Sequence, residues 1–232
     1  SVGFGGGSTY LALLLIWDVP YLIFPIIALL CNIIVVSGNS FNYIRAGNHN
    51  FKLLLPFLIG SVPLAFLGGT LKIDKDIFEI LLFFVLSIAG FLLLINNKSY
   101  ENNNSIVKRL NFIISLIIGS VLGLISGIVG IGGGIFLSPI LFLLKAEKPK
   151  IIVTTASLFI LINSISGILG QLTKENILTE LSNYIPLFIC VFIGGLLGNY
   201  LNLKIFTSRV LAIITSLLVI FVSIRMGIKI FF

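Results

Sequence analysis

Two glycine-rich runs are the first feature of the sequence that could do chemistry. The run Val2–Gly7 (VGFGGG) returns as Val129–Gly134 (VGIGGG), and short apolar stretches follow at 8–17 and 135–144. A helix that starts directly after such a run has unpaired N–H groups in its first turn, and the positive end of its dipole points at the glycines. Such a helix end binds anions without a charged side chain. We therefore predict that these glycines form a binding site for a small anion: Gly5, Gly6, Gly7, Gly132, Gly133 and Gly134. The alternative is that the glycines only allow tight packing between helices.

Polar side chains inside apolar segments are the second candidate feature. Asn163 lies on one helical face of 151–170, with Thr155 at the edge of that face, and Asn32 lies in the corresponding segment 20–44. An asparagine amide has two N–H donors, so both asparagines could donate to the oxygens of an anion. The alternative is that these groups form hydrogen bonds between helices. We add Asn32, Thr155 and Asn163 to the predicted substrate site.

Enzymatic chemistry is disfavoured by the residues that the chain contains. A membrane-embedded hydrolase needs a nucleophile with a base, paired carboxylates or a metal cluster. The single histidine, His49, lies in a predicted loop with Arg45 and Lys52 nearby, and the eight acidic residues lie in loops or at segment ends. We predict a protein that is not an enzyme and that uses neither a metal nor another cofactor.

The elements that hold these residues must be membrane helices. The chain has 232 residues, of which 58% are hydrophobic and 10% charged, and its mean hydropathy is +1.18. Helices of about 20 apolar residues span a bilayer because every backbone group is satisfied within the segment. We predict an all-α polytopic membrane protein with about seven full spans and half-helices at 8–17 and 135–144. The spans are 20–44, 53–71, 77–95, 110–129, 151–170, 184–203 and 209–231.

The basic residues predict the orientation of the chain. If the loop 96–109 is cytoplasmic, ten lysines and arginines lie inside, four lie outside and Arg225 lies within the last span. This bias follows the positive-inside rule. We expect a multi-pass protein of a prokaryotic plasma membrane. The net charge of +7 is then a topology signal and does not indicate binding to nucleic acid.

An internal repeat divides the chain into two halves. Each glycine run is followed by a half-helix and three long spans, so we predict a first repeat at 1–95, a cytoplasmic linker at 96–109 and a second repeat at 110–232. The loop near Asp18 is expected outside and its counterpart at 145–150 inside, which makes the repeats inverted. Inverted repeats are common in secondary transporters, whose sites lie near the midplane. We also expect that a helix preceding Ser1 is missing from the first repeat.

These motifs resemble those of a known family. The run GIVGIGGGIFLSPIL at 127–141, its weaker copy at 3–14 and GGLLG at 194–198 are similar to the signature of the sulfite exporter TauE/SafE family. The chain differs from the repeat pattern where Ala12 stands in the position of Pro139. The resemblance implies a membrane permease for sulfite or small organosulfur anions, with the lipid bilayer and the anion as its partners. An anion channel or a membrane scaffold is the alternative, and a homo-oligomer remains open.

Overall fold

Helices make up nearly all of the part of the chain that the structure describes. The computed structural model describes residues 14, 19–45, 47–95, 110–174, 181, 184–204 and 208–231. Within these residues there are eight helices in chain order. They are α1 (Phe24–Arg45), α2 (Phe51–Thr70), α3 (Lys75–Ile95), α4 (Phe112–Val129), α5 (Gly134–Leu143), α6 (Pro149–Gln171), α7 (Ile185–Lys204) and α8 (Ser208–Phe231).

The helix lengths fit a bilayer. Five helices (α1, α2, α3, α4 and α6) are long and apolar enough to cross a membrane. The helices α7 and α8 coincide with the last two predicted spans, and their described apolar parts at 185–198 and 213–228 are shorter than a full crossing. Since α5 has 10 residues, its length is about 15 Å, or half of the hydrocarbon core. The predicted half-helix at 135–144 is therefore confirmed, whereas the one at 8–17 lies outside the described residues.

Large apolar side chains cover much of the outer surface of the bundle. Ile113 on α4, Phe91 on α3 and Phe221 on α8 are each more than 60% exposed, and many other leucines, isoleucines and phenylalanines of these helices are similarly exposed. Such a surface would be unfavourable in water but is the normal lipid-facing surface of a membrane bundle. The composition-based prediction of a multi-pass membrane protein is thus consistent with the fold.

Glycines let α2 pack closely between α4 and α6. An ideal Cβ on Gly123 or Gly127 would meet the backbone of Ser61 or Ala65 on α2, and one on Gly170 of α6 would meet the backbone of Phe66. Without a driving force from water, membrane helices associate through such close contacts of small residues. Packing is therefore the role of these three glycines, and α2, α4 and α6 form the most closely packed part of the bundle.

The remaining helices add contacts between the two halves of the chain. The helix α1 packs against α6, and α3 packs against α8. The hydroxyl oxygens of Ser87 on α3 and Ser223 on α8 lie 2.6 Å apart. In the predicted repeat, α1 corresponds to α6 and α3 to α8, so corresponding helices meet each other.

The loops gather at two ends of the bundle. At one end Asn50, before α2, donates through Nδ2 to Oε1 of Glu147, before α6, at 2.9 Å. At the other end Lys72, before α3, and Lys174, after α6, line the same pocket. The charge count assigned the loops that contain Asn50 and Glu147 to one side of the membrane, and Lys72 and Lys174 to the opposite side. The structure likewise places the two loops at one end of the bundle and the two lysines at the other.

Candidate functional site

The second glycine run forms a turn between α4 and α5 with three residues in the left-handed region. Gly130 has φ 86° and ends α4, and its N–H donates to the carbonyl oxygen of Ser126 at 2.9 Å. Gly132 and Gly133 have φ values of 78° and 75°. Residues with a Cβ are strained in this region, so the turn requires glycine at these positions. The chain therefore passes from α4 to α5 through a few buried residues.

The half-helix α5 begins at this turn with free backbone donors. The carbonyl oxygen of Gly133 accepts from the N–H groups of Phe136 and Leu137 at 3.2 and 3.1 Å, and no side chain caps this end. Within the described part of the chain, the N–H groups of Gly134 and Ile135 have no hydrogen-bond partner. Both residues are buried. The helix thus presents unpaired N–H groups and the positive end of its dipole inside the bundle.

Asn32 of α1 is in contact with the turn. Its side chain is fully buried, and Nδ2 lies 3.4 Å from the carbonyl oxygen of Gly130. An ideal Cβ on Gly132 would lie 3.0 Å from the same Nδ2. One of the two N–H donors of this amide is directed at Gly130, which leaves the second donor for another acceptor.

The helix α6 forms the opposite wall of the turn. A Cβ on Gly132 would lie 2.8 Å from Cγ2 of Ile160 and 3.2 Å from Oγ of Ser164, and a Cβ on Gly133 would lie 2.8 Å from Cε1 of Phe159. At Gly134 a Cβ would meet the side chain of Ile160. Gly134 therefore packs tightly on α6, which its lack of a side chain allows.

Thr155 and Asn163 are also buried on α6. Nδ2 of Asn163 donates to the carbonyl oxygen of Phe159 in its own helix at 2.9 Å, and Oδ1 has no partner among the described residues. Oγ1 of Thr155 is likewise unpaired within the described part of the chain. The α6 side chains nearest to the turn glycines belong to Phe159, Ile160 and Ser164 instead.

Unpaired polar atoms are buried on the helices that meet at the turn. A buried polar group without a partner costs on the order of 1–3 kcal/mol, so such groups are rare in stable bundles unless a ligand or water binds them. Several are found on α1, α4, α5 and α6: Asn32 Oδ1, Ser126 Oγ, Ser138 Oγ, Thr155 Oγ1, Asn163 Oδ1 and Ser164 Oγ. No charged side chain is buried in the part of the chain that the structure describes. An anion at the turn would be held by dipoles and N–H or O–H donors alone.

Comparison with known proteins decides the family. The family model for the sulfite exporter TauE/SafE matches residues 1–226. The chain belongs to this family. A TauE/SafE protein is a membrane transporter, which agrees with the apolar helices and confirms the resemblance of the glycine motifs.

Two relatives of this TauE/SafE protein cover almost its whole length. It is 25% identical over 223 residues to the probable membrane transporter protein y4hK of Sinorhizobium fredii, covering 94% of this chain and 88% of the relative. It is 22% identical over 247 residues to the probable membrane transporter protein YunE of Bacillus subtilis, covering 94% of this chain and 89% of the relative. Both are named as transporters and not as enzymes. No solved structure showed a significant match.

Sequence reasoning found part of the candidate site in this TauE/SafE chain. The structure brings Asn32, Gly132, Gly133 and Gly134 together, whereas Gly5, Gly6 and Gly7 lie outside the described residues. Ser164 was missed, although it lies next to Asn163 in sequence. Its signal was weak because successive residues of an α-helix lie about 100° apart, so Ser164 falls off the helical face on which Asn163 was placed. Oγ of Ser166 instead donates to the carbonyl oxygen of Val62 at 2.6 Å, a hydrogen bond between helices.

Proposed function

We propose that this transporter carries small oxyanions, with sulfite or an organosulfur anion such as a sulfonate as substrate, and that it exports them. The proposal rests mainly on the N-terminus of α5, where the unpaired N–H groups of Gly134 and Ile135 are buried inside an apolar bundle. The family model carries the name of a sulfite exporter, which supports this substrate class.

The anion would bind at the turn, with its oxygens accepting from the N–H groups at the start of α5. The hydroxyl group of Ser164 and the second N–H of Asn32 lie beside Gly132 and would add donors. Thr155 and Asn163 are proposed as further donors in a conformation that turns them toward the substrate. Transfer of a bare anion into a bundle is costly, so several donors are needed. Because no cation is buried among the described residues, binding would stay weak enough for release.

A two-sided arrangement follows from the repeat. We propose that the repeats at 1–95 and 110–232 are inverted, that seven helices span the membrane, and that Gly5, Gly6 and Gly7 form the equivalent half of the site. Contacts between corresponding helices, α1 with α6 and α3 with α8, support a pseudo-symmetric arrangement. Such carriers expose a central site to each side in turn by moving one repeat against the other.

The orientation is proposed from charge. Ten of the basic residues would lie inside with the 96–109 loop, and the ends of the bundle group the described loops consistently. The protein would therefore reside in the plasma membrane of a prokaryote, with the Lys72 and Lys174 end outside.

Flux measurement tests the proposal. Proteoliposomes containing the full chain should take up radiolabelled sulfite, or a sulfonate such as methanesulfonate, at a rate that saturates with concentration. A rate that rises linearly without saturation would indicate a channel instead. Absence of flux for sulfite, sulfate, thiosulfate and sulfonates, with and without a pH gradient, would overturn the proposed function.

A further inference from the structure

A small pocket with two lysines lies at the end of the bundle that the charge count places outside. Lys72 and Lys174 line it together with Tyr21, Pro25 and Ile128. Its volume is about 30 Å³, compared with the roughly 10–15 Å³ that a cavity needs to hold one water. An oxyanion would place an oxygen in the pocket and remain partly hydrated at its mouth. This geometry suits a weak docking site.

The two lysines have no carboxylate partner in the described part of the chain. The ion pair found there joins Lys75 to Glu79 at 3.9 Å. Among the described residues, the lining of the pocket contains Tyr21, Lys72 and Lys174 as its titratable groups and no acidic residue. Partial burial, and then repulsion from Lys72, lowers the pKa of Lys174 to about 8. Two ammonium groups that line one pocket, with no carboxylate partner among the described residues, form a local positive potential, which attracts anions.

Lys174 is held in place by a buried glutamine. Its Nζ donates to Oε1 of Gln171 at 2.9 Å, and Nε2 of Gln171 donates to the carbonyl oxygen of Gly127 at 2.8 Å. Gln171 is fully buried, and Gly127 belongs to the last turn of α4, three residues before Gly130. A network of hydrogen bonds therefore connects the ammonium group to the helix that ends at the glycine turn.

The pocket and the glycine turn are also adjacent through α1. Pro25 lines the pocket, and an ideal Cβ on Gly130 would lie 2.6 Å from Cα of Pro25. Ile128 lines the pocket two residues before Gly130. The pocket is thus separated from the turn by a single layer of residues.

We propose that Lys72 and Lys174 form an outer docking site for the oxyanion substrate, with Gln171 as the positioning residue for Lys174. The inference deepens the proposed function and rests on it for the identity of the substrate. The ligand class is a sulfur oxyanion, but a phospholipid phosphate would offer the same chemistry. The two sources are separated by working in a detergent that carries no phosphate.

The test is protection of the lysines from a membrane-impermeant amine-reactive reagent. The full chain is purified in dodecyl maltoside, and acylation of each lysine is followed by peptide mass spectrometry with and without sodium methanesulfonate, which keeps its single charge at all pH values used. Sodium chloride is added to equal ionic strength in the sample without methanesulfonate. At about nine times the dissociation constant, only one site in ten stays free, so labelling of Lys72 and Lys174 should slow on the order of tenfold.

Control variants make the test specific to the pocket. Lys75, which is paired with Glu79, should react at the same rate with and without methanesulfonate. Lys174→Met should abolish protection of Lys72, whereas Lys174→Arg should retain it because the charge remains. Gln171→Leu should weaken the protection of Lys72, because Lys174 loses its positioning partner. The double variant Gln171→Leu with Lys174→Arg should also protect Lys72 less than Lys174→Arg alone, because the arginine lacks that partner as well.

The pH profile gives an independent readout. The neutral amine reacts, so reactivity of Lys174 should rise through a midpoint near pH 8, and a bound anion favours the ammonium form and should move this midpoint upward. Protection should accordingly weaken as the pH rises above this midpoint. A midpoint that does not move with methanesulfonate would count against the site.

The two proposals fail in different ways. If methanesulfonate protects Lys72 and Lys174 but the protein transports no anion in proteoliposomes, the proposed function is wrong and the docking site is retained. Saturable flux together with equal labelling in methanesulfonate and chloride would overturn the docking site alone. Protection that appears only after phospholipid is added, and never with methanesulfonate or sulfate, would also overturn it, because the site would then bind lipid headgroups.

Discussion

The amide nitrogen of Asn32 lies 3.4 Å from the carbonyl oxygen of Gly130, and this contact joins residues 98 positions apart in sequence. It ties the first half of the chain to the turn that starts the half-helix of the second half. Because Gly130 ends α4 in a left-handed conformation, the contact helps to fix the direction in which α5 leaves the turn.

Asn32→Ala should therefore impair transport more than insertion. Loss of the amide leaves a buried carbonyl oxygen unpaired, which costs about 1–3 kcal/mol, and it removes a proposed donor to the anion. We expect sulfite flux in proteoliposomes to fall on the order of tenfold at matched protein content.

Ser37→Ala is the matched control on the same helix. Ser37 is exposed, and its hydroxyl donates to the carbonyl oxygen of Ile33 in α1. Its removal should leave flux within about twofold, since surface changes usually alter stability by less than about 0.5 kcal/mol. Equal flux in the Asn32→Ala and Ser37→Ala proteins would show that the contact with Gly130 is not needed for transport.

The sequence predicted the elements of this region better than their contacts. Hydrophobic runs placed a span at 110–129 and a half-helix at 135–144, against Phe112–Val129 and Gly134–Leu143 in the structure. These elements depend on local composition and on the length of apolar segment that a bilayer requires, and both can be read from the sequence. The glycine turn was also predictable from local sequence, because left-handed backbone favours glycine.

Side-chain neighbours depend on the rotation of one helix against another, which a single sequence does not record. Ser164 was missed beside Gly132, and Gln171 was missed as the partner of Lys174 and Gly127. In the GGLLG motif a Cβ on Gly195 would lie 3.1 Å from Cγ2 of Val35 on α1, whereas one on Gly194 or Gly198 would meet nothing within 4 Å. The motif indicated the family but not which of its glycines packs against another helix.

Gly133→Ala tests whether the shape of the turn is needed for transport. At φ 75° an alanine is strained by about 1–2 kcal/mol, and its Cβ would lie 2.8 Å from Cε1 of Phe159. We expect most of the sulfite flux to be lost, because either effect tilts the first N–H groups of α5 away from the anion.

Gly47→Ala separates backbone strain from position. Gly47 has φ 73° in the loop between α1 and α2, and nothing lies within 4 Å of an added Cβ. This variant should lose a similar amount of stability from strain while it transports sulfite at nearly the unmodified rate. If Gly47→Ala loses as much flux as Gly133→Ala, the effect belongs to stability and not to the turn.

Gly123→Ala should destabilise the bundle without touching the proposed site. A methyl group there would meet the backbone of Ser61 on α2, which cannot move as a side-chain end can. Overpacking of this kind costs about 1–3 kcal/mol, so the midpoint of thermal unfolding in detergent should fall.

Gly38→Ala provides the contrast, because it adds the same methyl group to α1 where nothing lies within 4 Å. Alanine is favoured over glycine in a helix by about 1 kcal/mol, so this midpoint should stay or rise. A fall of equal size in both variants would contradict packing of α2 on α4 as the reason for glycine at 123.

The two ends of the bundle should react from opposite sides of the membrane. Thr173→Cys and Lys148→Cys, each in a Cys31→Ala and Cys190→Ala background, place one thiol at each end. Lys148 is exposed and its side chain makes no cap hydrogen bond to α6, and Thr173 is exposed after α6. Because the charge count puts Lys174 outside and Lys148 inside, an impermeant maleimide should label Thr173→Cys in intact cells and leave Lys148→Cys unlabelled.

Permeabilised cells should label both. Labelling of Lys148→Cys alone in intact cells would invert the topology, and the lysine pocket would then face the cytoplasm, where it would meet the anion before export instead of after it.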